Sequence, residues 1–232
     1  RAHLPIVHRY YELRRRLLGL DEIHHYDCYV PLVPELEQRH TWDEAIQEIT
    51  ASLQPLGAEY CDQLEAGLRG RWCDRYPNVG KQSGAFSSGT YDSDPYILMN
   101  FQEDVIEHVF TLAHEAGHSM HTRLSADAQP FQYAGYTIFV AEVASTFNEQ
   151  LLTRHLLSKA HSPKQRAAII SREIDAIRGT IIRQTMFAEF ERMSHSSVES
   201  GEPLTLEKIR TIYRELLTAV SYTHLRAHET SH

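Results

Sequence analysis

Residues 104–124 read DVIEHVFTLAHEAGHSMHTRL, and the fold prediction starts from this stretch. Its apolar residues recur at helical spacing, which predicts one amphipathic helix from about residue 104 to 124. Asp104 and Glu107 stand three positions apart, as in a capping box, so we expect the helix to begin at Asp104. The buried stripe of this helix is predicted to comprise Val105, Ile106, Val109, Phe110, Ala113, Ala116, Gly117, Met120 and Leu124.

Within this helix, His114, Glu115 and His118 form an H-E-x-x-H motif. Residues four apart lie one above the other on the same helix face, so both imidazoles can bind one metal ion. The carboxylate of Glu115 flanks that face, where it can take a proton from a water molecule that the metal activates. The motif therefore predicts a zinc site with Glu115 as the catalytic base.

A catalytic zinc site has three protein ligands and one open position, so a third ligand is required. Residues 125–136 contain turn-forming residues, and 137–157 read as a second helix. Glu142 and Glu149 lie on one side of that helix, but they are two turns apart and cannot occupy the same position. His121 is a further candidate. Three ligands from one straight helix would strain the geometry, which favours a hydrogen-bonding or core role for His121.

Residues 82–101 interrupt the helical pattern. The segment 83–91 is rich in Gly and Ser, and the short apolar run 96–99 is bounded by Pro95 and Asn100. Both segments are typical of strands, which we expect beside the zinc helix. An edge strand there could bind an extended peptide through main-chain hydrogen bonds. The alternative is a hairpin that only packs under the helix.

The rest of the chain reads as mainly helical, without repeats. Thr41 with Glu44, and Ser162 before Pro163, carry N-terminal helix signals. Two prolines make 27–35 an extended connector. Further helices are predicted at residues 5–18, 41–53, 57–68, 163–193 and 205–220.

Composition narrows the functional class. The 232 residues are 42% hydrophobic and carry a net charge of −8, which argues against nucleic acid as a partner. No apolar run approaches the roughly 18 to 20 residues needed to span a bilayer, so no membrane attachment is expected. Cys28, Cys61 and Cys73 are far apart and form no C-x-x-C pair, which indicates free thiols in a reducing compartment, hence a cytoplasmic protein. The oligomeric state stays open.

Several segments together resemble one known family. They resemble the oligoendopeptidase F branch of the thimet-oligopeptidase family of zinc metallopeptidases, and the similarity extends over nearly all of residues 5–219. The segments that carry it are 76–91, 95–101, 110–121, 138–149 and 179–191.

The resemblance implies a mainly α fold, a helical zincin-type catalytic core with a small β-sheet or hairpin beside the H-E-x-x-H helix. It implies one Zn²⁺ per chain held by His114, His118 and Glu142, since the first glutamate of the second motif is the family's third ligand. It also implies oligopeptide substrates. A substrate-binding role follows in the same way for Gly84, Ala85 and Phe86.

Members of that family are considerably longer than this chain. We therefore expect residues 1–220 to be a partial catalytic domain, incomplete at both ends and lacking the family's oxyanion-stabilising segment. Residues 221–232 do not resemble the family and are expected to be a disordered or artefactual tail. The expected function is a zinc-dependent endopeptidase acting on oligopeptides. The alternatives are a fragment that binds zinc without turnover and a helical scaffold without metal, which the two motifs disfavour.

Overall fold

A computed structural model of the protein describes residues 2–33 and 39–221. These residues form eight α-helices and one small three-stranded sheet, so the predicted mainly α fold with a sheet beside the H-E-x-x-H helix is confirmed. The helices are α1 (Leu4–Leu17), α2 (Trp42–Ser52), α3 (Ala58–Arg69), α4 (Ile106–Ala128), α5 (Ile138–Lys159), α6 (Pro163–Ile177), α7 (Arg183–Glu199) and α8 (Leu206–Ser221). The strands are β1 (Cys73–Asp74), β2 (Phe86–Ser88) and β3 (Tyr96–Leu98).

The chain divides into two compact units, Leu36–His161 and the combination of Arg1–Glu35 with Ser162–His232. The first unit holds helices α2 to α5 and the sheet around one hydrophobic core. The predicted capping box of α2 is confirmed, because the Thr41 hydroxyl accepts the Glu44 N–H and the Glu44 carboxylate accepts the Thr41 N–H. Fully buried core residues of this unit include Ile46, Ile49, Leu64, Leu68, Leu112, Met120 and Leu152.

The second unit contains α1, α6, α7 and α8. Ser162 caps α6 together with Gln165, as predicted. The helix predicted at 163–193 continues to Glu199 and includes a π-helical segment at Arg178–Ile182. The prediction of an extended connector at 27–35 is wrong for its first residues. His25–Tyr29 form a 3₁₀ helix, because the Asp27 carboxylate accepts the His24 N–H and closes a turn.

Two predictions fall partly on residues whose structure is not described. Residues 34–35 of the connector lie outside the described residues. The same holds for 222–232 of the predicted tail, whose first residue, Ser221, ends α8.

The sheet has the strand order β1-β3-β2. Strands β2 and β3 are antiparallel, with Phe86 opposite Leu98 and Ser88 opposite Tyr96, while β1 runs parallel to β3. The sequence did not predict β1, because two residues are too few to show an alternating pattern. Strand β2 lies at one edge of the sheet, and its Ser87 hydroxyl lies 2.7 Å from the Ser119 hydroxyl of α4.

Helix α4 begins later and ends later than the sequence predicted. The N-cap residue is Val105, which has an extended backbone and whose side chain makes no capping hydrogen bond, so the predicted capping role of Asp104 is wrong. At the other end, α4 passes Leu124 and stops at Ala128. Gln129 precedes Pro130, and a residue before proline is disfavoured in helical conformation.

Helices α4 and α5 touch backbone to backbone at Gly117. A Cβ atom on Gly117 would lie 2.6 Å from the Ser145 Cα and 2.9 Å from the Ala144 carbonyl oxygen. Only glycine allows the two helices to approach this closely without displacement. The contact places the middle turn of α4 against the first half of α5.

We predict that Gly117→Ala destabilises the protein by about 1 to 3 kcal/mol, the usual cost of extra volume in a packed core. Urea unfolding measures this change. Gly135→Ala is the matched control, because a Cβ atom there meets nothing within 4 Å. Equal stability of the two variants would contradict the tight helix crossing.

Candidate metal centre

The side chains of His114, His118 and Glu142 converge on one point. The two histidine Nε2 atoms are 3.1 Å apart, and the Glu142 Oε2 lies 3.2 Å from that of His114 and 3.4 Å from that of His118. The histidines come from consecutive turns of α4, and Glu142 comes from the start of α5. Among the described residues, this is the cluster of His, Cys, Asp and Glu side chains that could hold a metal ion.

The spacing of these three atoms fits a tetrahedral metal site. Zinc binds histidine nitrogen and carboxylate oxygen at about 2.0 to 2.2 Å, so neighbouring ligand atoms of a tetrahedral site lie about 3.3 Å apart. The three separations in the structure, 3.1, 3.2 and 3.4 Å, lie on both sides of this value. The Glu142 side chain is 60% exposed, so the cluster can be reached from solvent.

Glu149 lies on the other side of the His114 ring. Its Oε1 is 2.7 Å from the His114 Nδ1, and the opposite ring nitrogen, Nε2, points to the cluster. A proton on Nδ1 would be donated to Glu149, which leaves the Nε2 lone pair free for a metal. From the sequence, Glu142 and Glu149 were alternative candidates for the third metal ligand. The structure instead gives each one a different nitrogen of the same imidazole.

His121 does not join the cluster. Its ring stacks on that of Tyr136, with ring centroids 3.7 Å apart and an angle of 8° between the planes. The Tyr136 hydroxyl is 2.9 Å from the Thr122 hydroxyl, so the segment leading into α5 is held against α4. Sequence reasoning did not find Tyr136, because nothing in the loop pattern singled it out.

Glu115 lies beside the cluster and is 7% exposed. Burial raises the pKa of its carboxyl, and the neighbouring Glu142 raises it further, while His114 and a hydrogen bond from the Ser87 backbone N–H oppose the shift. The net direction is upward. A buried carboxyl with a raised pKa is suited to take and return a proton.

The two cluster histidines have pKa values shifted in opposite directions. Burial lowers the pKa of His114, but the hydrogen bond and charge of Glu149, with Glu115 and Glu142, raise it more, so the net shift is upward. Burial and the charge of His114 lower the pKa of His118. The charge of His114 therefore disfavours a charge on His118, and the neutral imidazole is the form that binds metals.

Buried polar side chains of α5 hold its near face against α4. The Asn148 amide donates to the Ala113 carbonyl at 3.2 Å and also contacts the Tyr60 hydroxyl. The Ser145 hydroxyl donates to the Glu142 Oε2 at 2.8 Å. No role was assigned to Ser145 from the sequence. Isolated Ser and Asn residues are common on helices, and their partners are on other turns or elements.

The three predicted substrate-binding residues lie at the edge strand. Phe86 begins β2 and is half exposed, and Ala85 packs against the core. Gly84 has a backbone φ of +95°, a conformation that favours glycine, and its carbonyl accepts a hydrogen bond from the Asn100 amide at 2.9 Å. The three residues therefore lead into the strand that contacts α4 through Ser87. Their role in substrate binding stays a prediction.

The chain is similar to known proteins in sequence and in fold. The sequence matches peptidase family M3 over residues 1–231. It is 49% identical to the oligopeptidase PepF of Bacillus subtilis over 214 residues, which cover 92% of this chain and 32% of that protein. The crystal structure of oligoendopeptidase-F from Enterococcus faecium superposes with a TM-score of 0.62 at 32% identity, over 95% of this chain and 31% of that one.

A Chlamydophila abortus crystal structure superposes with a TM-score of 0.79 at 40% identity and covers 98% of this chain and 39% of that one. This chain spans about a third of the length of the curated relatives it matches. Among the described residues, no helix is both long and apolar enough to cross a membrane.

Proposed function

Because this chain belongs to peptidase family M3, we propose that it carries the metal centre of a zinc-dependent endopeptidase that hydrolyses oligopeptides. In this proposal His114, His118 and Glu142 hold one Zn²⁺ per chain, and Glu115 is the catalytic base. The observation that carries the proposal is the convergence of the three ligand atoms at tetrahedral spacing beside a buried carboxyl. The relatives named as oligopeptidases support the substrate class.

Zinc in this site would polarise the carbonyl of the scissile bond and make a water molecule more acidic. The protein's part is to fix the ligands before the metal arrives. Glu149 sets the orientation of the His114 ring through Nδ1, and the contact at Gly117 sets the distance between the two helices.

Glu115 would move the protons of the reaction. Its carboxylate takes a proton from the water that attacks the scissile carbonyl and then gives it to the leaving amine, so the peptide C–N bond breaks without net proton change. The Ser87 N–H restricts the position of this carboxylate, and burial raises its pKa above the ordinary value of a glutamate.

The edge strand β2 would bind the peptide main chain. Within the described residues β2 pairs with β3 along one edge and with no strand along the other, which is where a peptide strand would be added. Gly84, Ala85 and Phe86 are the residues we assign to this role. Main-chain pairing recognises an extended peptide more than a particular sequence, which suits a peptidase that acts on varied oligopeptides.

The proposal also includes the location of the protein, the class of its partner and its domain assignment. The free thiols of Cys28, Cys61 and Cys73 support a reducing, cytoplasmic location. The net charge of −8 supports a peptide partner over nucleic acid. We assign residues 1–220 to a partial catalytic domain.

The ligand set leads to the first functional prediction. His118→Ala or Glu142→Ala should weaken zinc binding by more than about 100-fold, whereas Glu149→Ala should cost about 10- to 100-fold, as expected for a hydrogen-bond partner of a ligand. Competition with a chromophoric chelator measures the affinity. Glu107→Ala, an exposed change on α4, is the control. Full affinity in Glu142→Ala with complete loss in Glu149→Ala would show that Glu149 is the third ligand.

The role of Glu115 leads to the second functional prediction. Glu115→Gln should bind one zinc per chain and lose about 10²- to 10⁴-fold in cleavage of an internally quenched peptide, because only the proton transfer is removed. A chelator should abolish cleavage by the unsubstituted chain. Loss of zinc in Glu115→Gln would make Glu115 a ligand and not the base. Zinc binding without cleavage by the unsubstituted chain would support the alternative of a fragment that binds metal without turnover.

A further inference from the structure

We propose that Ser145 is a positioning residue that fixes the carboxylate of Glu142 for metal binding, an inference that rests on the proposed metal centre. Ser145 lies one helical turn after Glu142 on α5 and is fully buried. Its hydroxyl donates to the Glu142 Oε2 at 2.8 Å. This oxygen is the one that lies 3.2 and 3.4 Å from the two histidine nitrogens.

The Glu142 side chain needs such a partner because it is 60% exposed. An exposed glutamate samples several rotamers, and most of them carry the carboxylate away from His114 and His118. A hydrogen bond from a buried neighbour favours the rotamer that faces the cluster. Within the described residues, Ser145 provides the hydroxyl that reaches this carboxylate.

The position of Ser145 is itself fixed by the helix crossing. Its Cα is the atom closest to the place where a Cβ on Gly117 would lie, at 2.6 Å. Gly117 is the residue immediately before His118. Ser145 therefore ties the orientation of the ligand from α5 to the backbone of the helix that supplies the other two ligands.

The contact is compatible with metal binding through the same oxygen. An ionised carboxylate oxygen has two lone-pair directions, so Oε2 can accept from Ser145 and still face the histidines. The same hydroxyl lies 3.1 Å from the Glu142 backbone carbonyl oxygen, a longer contact than the 2.8 Å to the carboxylate. Both acceptors belong to Glu142.

Thr146 offers a matched control. Its hydroxyl also contacts Glu142, at 2.5 Å, but only through the backbone carbonyl. Removing the Thr146 hydroxyl therefore disturbs the same turn of α5 without touching the carboxylate. Alanine suits both positions, since it is smaller than either residue and has the highest helix propensity.

The test measures zinc affinity of the 232-residue chain, with unfolding followed in parallel. Ser145→Ala should bind zinc about 10- to 100-fold more weakly, the usual cost of removing a partner of a metal ligand. Thr146→Ala should bind zinc as tightly as the unsubstituted chain. Equal affinities for Ser145→Ala and the unsubstituted chain, or equal losses in the two variants, would overturn the proposal.

A double substitution separates positioning from a general structural effect. If Ser145 acts through the Glu142 carboxylate, Ser145→Ala should cost nothing further in the Glu142→Ala background. The same loss in both backgrounds would overturn the positioning role. If Glu142→Ala alone left zinc affinity unchanged, the proposed ligand set would fail. If Glu142→Ala weakened binding and Ser145→Ala did not, only the inference on Ser145 would fail.

Discussion

The close backbone contact between α4 and α5 at Gly117 is the constraint on which the candidate site depends. His114 and His118 are on one helix and Glu142 is on the other, so their separation is set by how near the helices come. With any side chain at Gly117, a Cβ atom would lie 2.6 Å from the Ser145 Cα. Packed interiors are hard to compress, so a Cβ atom at this position would push the helices apart. The absence of a Cβ at Gly117 therefore allows the three candidate ligand atoms to lie close together.

Around that crossing, each functional side chain has a partner that limits its motion. Glu149 contacts His114, Ser145 contacts Glu142, and the backbone of the edge strand contacts Glu115. The buried members of this group, Ser145 and Glu115, are stable in the interior only because they have such partners. Burial shifts the pKa of Glu115 upward against the opposing contact from Ser87, and burial with the charge of His114 shifts the pKa of His118 downward.

Most helices and the strands β2 and β3 were predictable from the sequence, whereas two short elements were not. The sequence indicated α2, α4 and α8 with ends displaced by only a few residues, because the spacing of apolar residues shows which face of a helix is buried. Strand β1 and the 3₁₀ helix His25–Tyr29 escaped prediction, since each depends on a few hydrogen bonds to partners elsewhere. The predicted cap at Asp104 failed because the backbone turns into the helix only after Val105.

The sequence alone determined that His114 and His118 share a helix face and that Glu115 flanks it, since helical geometry fixes positions four residues apart. It also supplied the family resemblance that singled out Glu142. Only the tertiary structure decided that Glu142 and Glu149 lie at different nitrogens of the His114 ring. It also decided that His121 stacks on Tyr136 and that the Ser145 hydroxyl reaches the Glu142 carboxylate. Local periodicity fixes the direction of a side chain on its own helix. The distance to a group on another helix depends on how the two helices pack.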